Sequence, residues 1–233
     1  MRLCFAIGVY QDEDLATRLI NDLRRHYPAD EGADIFVRCD GDCTREFGMF
    51  CRSQHAEYGS GERLKLAQFG GEWLANLLVG FTVFSSAETV IKLDPDSRIH
   101  RRFASFPNAD LAADIREYSG GQYLQGGCIA MKRSAAEALL ASPILDDPLY
   151  RTEAFSYQRY RSPHRQPWEL DSSERLSASD LILSHASQRL ELSWAQWREV
   201  LSFPLKEELE AALAGLPDDE IAQRYAVTHP WKI

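Results

Sequence analysis

Two carboxylates one residue apart, Asp94 and Asp96, stand where an apolar run ends, in Val90-Ile91-Lys92-Leu93-Asp94-Pro95-Asp96-Ser97. The run is rich in β-branched residues and reads as a buried strand. Strand alternation puts both aspartates on one side. Pro95 has no N–H to donate and a fixed φ, so the strand should stop there. In open α/β sheets the C-terminal ends of strands are where ligands sit. Paired carboxylates repel each other, and a divalent cation relieves the repulsion. Oxygen ligands suit Mg2+ or Mn2+, either of which would hold substrate phosphates. Asp-Pro-Asp-Ser is also sound turn chemistry, so the tetrapeptide alone leaves both a metal site and a plain turn open.

Other residue types with chemical potential lie scattered along the chain. His229 follows the apolar stretch Tyr225–Thr228 and reads either as a neutral imidazole ligand or as a solvated terminal side chain. Asp180, after Ser177-Ala178-Ser179, reads either as a helix-opening cap or as a general base. Asp40 and Asp42 flank Gly41 and suit either the base or ribose of a nucleotide or a turn. Tyr10, just past the first strand, is equally suited to stacking on a base and to packing in the core. Lys65, in the apolar-basic segment Leu64–Phe69, and Lys92, in the strand itself, are the cations assigned to a nucleotide. Gln125-Gly126-Gly127 interrupts an apolar strand, and glycine inside a strand marks a bulge or a close approach by a ligand.

The elements that must position these residues follow from periodicity. Leu3 to Val9 reads as a first strand. Asp12-Glu13-Asp14 opens a helix carrying Leu15, Leu19, Ile20 and Leu23, and Pro28 ends it. Ala33 to Cys39 is a second strand, and strand, helix and strand make a parallel, right-handed βαβ unit. Cys43 to Glu62 lacks periodicity and reads as a loop with Gly48, Gly59 and Gly61. Gly70-Gly71 then breaks the chain before an apolar helix beginning at Glu72. Arg98, His100, Arg101 and Arg102 form a basic run, either a solvated patch or a phosphate contact. Gln122 to Met131 is a strand, and Ser134 caps a helix from Ala135 to Leu140. Asp146 to Glu174 reads as a long irregular loop. A helix follows from Leu181, then core aromatics at Trp194, Trp197 and Phe203, a helix from Lys206 to Leu213, and a last strand before His229.

Composition narrows the class. The chain has 233 residues, 45% hydrophobic and 26% charged, with a net charge of -9. That is an ordinary globular balance with room for a sizeable core. A non-specific nucleic-acid binder would normally be basic, so nucleic acid is disfavoured as a partner. No apolar stretch reaches the length of a membrane span. The N-terminus lacks a full signal-peptide core, which predicts a cytoplasmic protein. The five cysteines include no C-x-x-C pair and read as reduced thiols.

The order of parts resembles a glycosyltransferase of the GT-A fold. That resemblance implies an α/β three-layer sandwich with a mostly parallel central sheet. It implies a single domain over 1–233, with a nucleotide-binding half (1–97) and an acceptor half carrying a metal-binding tail (98–233). Asp94 and Asp96 match the Asp-x-Asp of such enzymes, and His229 their third metal ligand. Gln125, Gly126 and Gly127 match the glycine-bearing strand beside sugar and acceptor. Ser179-Asp180 matches the acidic pair opening the helix that carries the acceptor-side carboxylate, and Lys232 the lysine that meets the diphosphate. The chain departs from the pattern in having Ser-Asp as its acidic pair and a compressed His229-Pro230-Trp231-Lys232 tail. The implied function is metal-dependent transfer of a sugar from a nucleotide diphosphate to an acceptor, with Mn2+ or Mg2+. Two alternatives stand beside it: a non-catalytic nucleotide- or sugar-binding module, and a haloacid-dehalogenase-type phosphatase.

Overall fold

A computed structural model of the chain describes residues 2–41, 43–62, 64, 66–118, 121–147, 150 and 179–230. Among the described residues the large sheet has seven strands, in the order β3 (Glu57–Gly61), β2 (Ala33–Asp40), β1 (Leu3–Val9), β4 (Thr89–Leu93), β7 (Gly121–Lys132), β6 (Leu111–Tyr118) and β8 (Trp194–Gln196). Helix α1 (Glu13–His26) buries Ala16, Leu19, Ile20 and Leu23, spaced three or four apart on one face. Its first turn is acidic and its last turn basic, as the helix dipole favours. Strand β2 (Ala33–Asp40) runs parallel to β1, which completes the expected βαβ unit. Strand β4 (Thr89–Leu93) pairs parallel with the other edge of β1. The strand order therefore reverses between β1 and β4, and a crevice opens at their carboxyl ends.

The stretch 43–62, expected to be a loop, is instead helix α2 (Arg45–Ser53) followed by strand β3 (Glu57–Gly61). The Thr44 hydroxyl caps α2 by accepting from the Phe47 N–H, and β3 gains its partners only by lying parallel to β2. Neither cause shows in hydrophobic periodicity. Gly70-Gly71 does not break the chain either, because α3 (Leu66–Phe84) runs through both. A Cβ on Gly71 would come within 2.1 Å of the Leu145 carbonyl oxygen, so this glycine serves close packing.

The second half begins with β5 (Arg98–Ile99), then β6 (Leu111–Tyr118) and β7 (Gly121–Lys132), an antiparallel pair whose register shifts between Ala113 and Ile115. Helix α4 (Arg133–Ala141) has Lys132, not Ser134, at its N-cap. Helix α5 (Ser179–Arg189) and strands β8 (Trp194–Gln196) and β9 (Val200–Ser202) follow. Helices α6 (Lys206–Leu213) and α7 (Asp218–Arg224) then lead into β10 (Val227–His229). Most of the expected loop 146–174 lies outside the described residues. In a small second sheet, β10 runs antiparallel to β5 and parallel to β9.

The core has two apolar layers. Cys4, Ala6 and Phe36 face α3, α4 and α5 on one side of the large sheet. Phe5, Ile7 and Val37 face α1, α2, Trp197 and the small sheet on the other. Helix, sheet and mixed layers make the three-layer α/β arrangement. No helix among the described residues is long and apolar enough to cross a membrane.

The cysteine expectation fails for one pair. Cys39 and Cys43 form a disulfide with 6.1 Å between their Cα atoms. The turn at Gly41, where φ is +107°, folds the chain back and brings the two thiols together. Cys4, Cys51 and Cys128 are free and buried.

Candidate metal and ligand site

The carboxyl ends of β1, β2 and β4 and the end of β10 surround one open cleft of about 750 Å3. β4 delivers Asp94 and Asp96 to its wall, and β10 delivers His229 from the small sheet. The His229 Nε2 lies 3.1 Å from Asp96 Oδ1 and 3.6 Å from Asp94 Oδ2. One ligand atom from each of the three residues lies within 4.8 Å of the others.

The donor set fits a hard or borderline divalent cation. Adjacent ligands of a six-coordinate ion with bonds of about 2.1 Å lie about 3 Å apart, close to the two separations from His229. Two carboxylates with one imidazole suit Mn2+ and Mg2+, the nitrogen tilting the set towards Mn2+.

Lys92 is 5% exposed and lies beneath the carboxylate pair. Its Nζ donates to Asp94 Oδ1 at 2.6 Å and to the Gly126 carbonyl at 2.6 Å. This ammonium is committed within the protein, and Asp94 Oδ2 is the oxygen turned towards His229. The β4–β7 pairing extends past the strand end, since the Gly127 carbonyl accepts from the Asp94 N–H and the Ser97 hydroxyl. The turn carrying Asp94, Pro95 and Asp96 is thereby tied to β7.

The two glycines of β7 make room for the site. A Cβ on Gly127 would sit 2.1 Å from His229 Cγ, and one on Gly126 2.7 Å from Asp180 Cβ. Beside them Gln125 is 4% exposed, and its buried Oε1 has no hydrogen-bond partner among the described residues. Gln125 and Gly126 both line the cleft. An orphaned acceptor at a cleft wall fits a ligand hydroxyl.

Asp180, in the first turn of α5, reaches the same wall. Burial pushes its carboxyl above the usual aspartate range. Lys92 opposes this and Asp94 reinforces it. A carboxylate made more basic and set against a cleft can accept a proton from a hydroxyl.

The nucleotide-side candidates are dispersed. Tyr10 and Asp40 line the cleft, and Asp40 Oδ1 also accepts from the Leu64 N–H at 2.6 Å. Asp40 therefore anchors the chain after β3 as well as forming wall. Lys65, Asp42 and Lys232 lie outside the described residues. The basic run is taken up in structure: Arg101 pairs with Glu199, and Arg102 with Glu31 and the Tyr27 ring.

Sequence reasoning missed several wall residues. Trp73 on α3 and Asp12 line the cleft, as do Leu205, Lys206 and Glu207 at the start of α6. Trp73 had a signal in Gly8, whose Cβ would lie 2.3 Å from the indole. A glycine late in a buried strand marks such an approach. The start of α6 had none, because β9–β10 pairing alone carries it to the cleft.

No protein-family model matches the sequence, and no curated protein matches it. Among solved structures the chain is similar to the galactosyltransferase LgtC in complex with donor and acceptor sugar analogues. That alignment has a TM-score of 0.57 and 12% identity over 98% of this chain and 86% of that one. An active-site mutant of LgtC aligns with a TM-score of 0.58 and 12% identity over 100% of this chain and 88% of that one. The mannosyltransferase PcManGT from Pyrobaculum calidifontis, solved with GDP-Man and Mn2+, aligns over 59% of this chain and 46% of that one. This chain spans under half its length, at 13% identity and a TM-score of 0.45, too partial to bear on chemistry. The fold is that of the GT-A glycosyltransferases.

Proposed function

We propose that this GT-A chain transfers a sugar from a nucleotide diphosphate to an acceptor hydroxyl, with a divalent cation held by Asp94, Asp96 and His229. The observation that carries the reading is the convergence of those three side chains at the switch point of the sheet. They come from two different sheets and meet on one cleft.

When bound, the cation supplies positive charge to the departing diphosphate. The chain's own residues do the rest. Asp94, Asp96 and His229 bind and orient the cation, and Lys92 fixes Asp94 by occupying its other oxygen. Gln125 accepts a hydrogen bond from a donor-sugar or acceptor hydroxyl. Tyr10 and Asp40 face the nucleoside. Asp180 takes the proton from the attacking hydroxyl at a carboxylate oxygen. With net charge -9, the protein as a whole repels a diphosphate, and such a local cation offsets that repulsion at the cleft.

The phosphatase alternative expects its aspartate pair on the first strand, whereas Asp94 here closes the fourth. The binding-module alternative is separated by experiment. Nucleoside diphosphates are screened by thermal shift with and without Mn2+, since a ligand of the native state raises Tm by mass action. A metal-dependent rise with one nucleotide, lost in Asp94→Ala and Asp96→Ala, is expected. No response to any nucleotide with Mn2+ defeats the proposal. Binding without sugar transfer or donor hydrolysis leaves only the module.

A further inference from the structure

A hydrogen-bonded chain reaches His229 from behind the cleft, and nothing in the transfer chemistry above uses it. It starts at Asp114, which sits at the register shift between Ala113 and Ile115 in β6. A bulge re-aims a side chain, and Asp114, 5% exposed, turns to the small sheet. Its Oδ2 accepts from the Ser202 N–H at 2.8 Å, and its Oδ1 from Gln196 Nε2 at 2.9 Å. Arg116 pairs with the same carboxylate, donates to the Ser202 carbonyl at 2.9 Å, and lies 3.9 Å over the Phe203 ring. Both main-chain polar groups of Ser202 are thereby held from β6. Ser202 is fully buried, and its Oγ lies 3.0 Å from His229 Nδ1. On the far side of the ring, Nε2 faces Asp94 and Asp96.

We infer that Ser202, clamped by Asp114 and Arg116, is the positioning residue that makes His229 a ligand. A neutral imidazole carries one N–H. With Nδ1–H donated to Ser202 Oγ, the Nε2 lone pair is the one presented to a cation between the carboxylates. The hydroxyl holds the ring plane, and because it can accept, it takes the Nδ1–H once a cation claims the Nε2 lone pair. The ring also packs closely against Gly127, where a Cβ would come 2.1 Å from its Cγ. Metal-bound histidines generally need such an outer partner, whose loss costs about 10–100-fold in metal affinity. Asp114 and Arg116 act one step further out, by holding β9 where Ser202 meets the ring.

The inference rests on the metal reading proposed above, and its test separates the two. Mn2+ alone is titrated into wild type and Ser202→Ala by EPR, and nitrogen modulation on bound Mn2+ reports imidazole ligation. Wild type should bind with nitrogen modulation. Ser202→Ala should bind at least about tenfold more weakly, with the modulation lost. In Mg2+-loaded wild type, 15N NMR should show a slowly exchanging His229 Nδ1–H, a readout that needs no variant. Equal Mn2+ affinity with undiminished modulation in Ser202→Ala overturns the inference while leaving the metal site standing. Absence of the Nδ1–H in Mg2+-loaded wild type also overturns it. A wild type that binds no Mn2+ overturns the metal reading and this inference together.

Discussion

Lys92 meets Asp94 through one carboxylate oxygen only, at 2.6 Å, and leaves the other turned to His229. This pairing connects a buried cation, an apolar strand and an open cleft. The ammonium lets a carboxylate persist at the strand end with no ligand bound, and it bonds the Gly126 carbonyl on the neighbouring strand. Lys92→Met keeps the apolar stem and removes the charge. The Gly126 carbonyl and Asp94 Oδ1 then lose their donor, which should cost about 1–3 kcal/mol. Urea denaturation without metal measures the loss, and an unchanged midpoint would show that water replaces the ammonium at no cost.

Asp180 gives a pH-dependent signature. Burial raises its folded pKa above the ordinary value of 3.8. An acid with a raised folded pKa contributes its stability fully below the unfolded value and loses it as pH rises through the folded value. Asp180→Asn removes the titration. Its Tm should match the wild type near pH 3.8 and exceed it increasingly above, levelling off once Asp180 is ionised. Transfer activity, where Asp180 must be the anion, should rise over the same window and be lost in the variant. A constant Tm difference across pH would refute the burial argument.

Gly127 tests whether the close approach of β7 to β10 matters. The added Cβ of Gly127→Ala falls 2.1 Å from His229 Cγ, so the ring or the strand must shift. Overpacking of this kind costs about 1–3 kcal/mol, and the displaced imidazole should weaken Mn2+ binding. Gly59→Ala is the control, since its Cβ meets the Phe36 ring at an ordinary 3.5 Å. Calorimetric Mn2+ titration of both variants decides, and equal affinities would remove the steric argument.

The Cys39–Cys43 bond predicts a thiol count. Unfolded without reductant, the chain should expose three reactive thiols, Cys4, Cys51 and Cys128. With reductant it should expose five. Closing so short a loop, at a sequence separation of 4, stabilises by about 2 kcal/mol on the loop-entropy account. Cys43→Ala should lower the urea midpoint accordingly and loosen Asp40, which holds the Leu64 N–H beside the cleft. Five thiols without reductant would return both cysteines to the reduced class.

Local pattern made much of this molecule readable in advance. The apolar runs of β1, β2 and β4, the spacing in α1 and the boundaries of α6 are properties of a few adjacent residues. Burial of one face decides them wherever they lie. The parallel βαβ start followed from chain handedness. Asp94 and Asp96 were legible because the strand and the proline that ends it adjoin them. Helix α2, strand β3 and the full length of α3 were not, because a hydroxyl cap, a neighbouring strand and a carbonyl against Gly71 lie outside any periodic signal.

The sequence by itself determined that carboxylates end a buried strand, that glycines interrupt another, and that a histidine follows a late apolar run. Alternation, backbone sterics and side-chain chemistry act over a few residues and suffice for that. Only the tertiary structure decided that His229 turns to Asp96, that Asp114 reaches it through Ser202, and that Lys92 is held inside the protein. Those partners are brought together by the pairing of β9 with β10, of β4 with β7, and by a bulge in β6. Such contacts join residues far apart in the chain, and no local pattern encodes which distant strand a segment will meet.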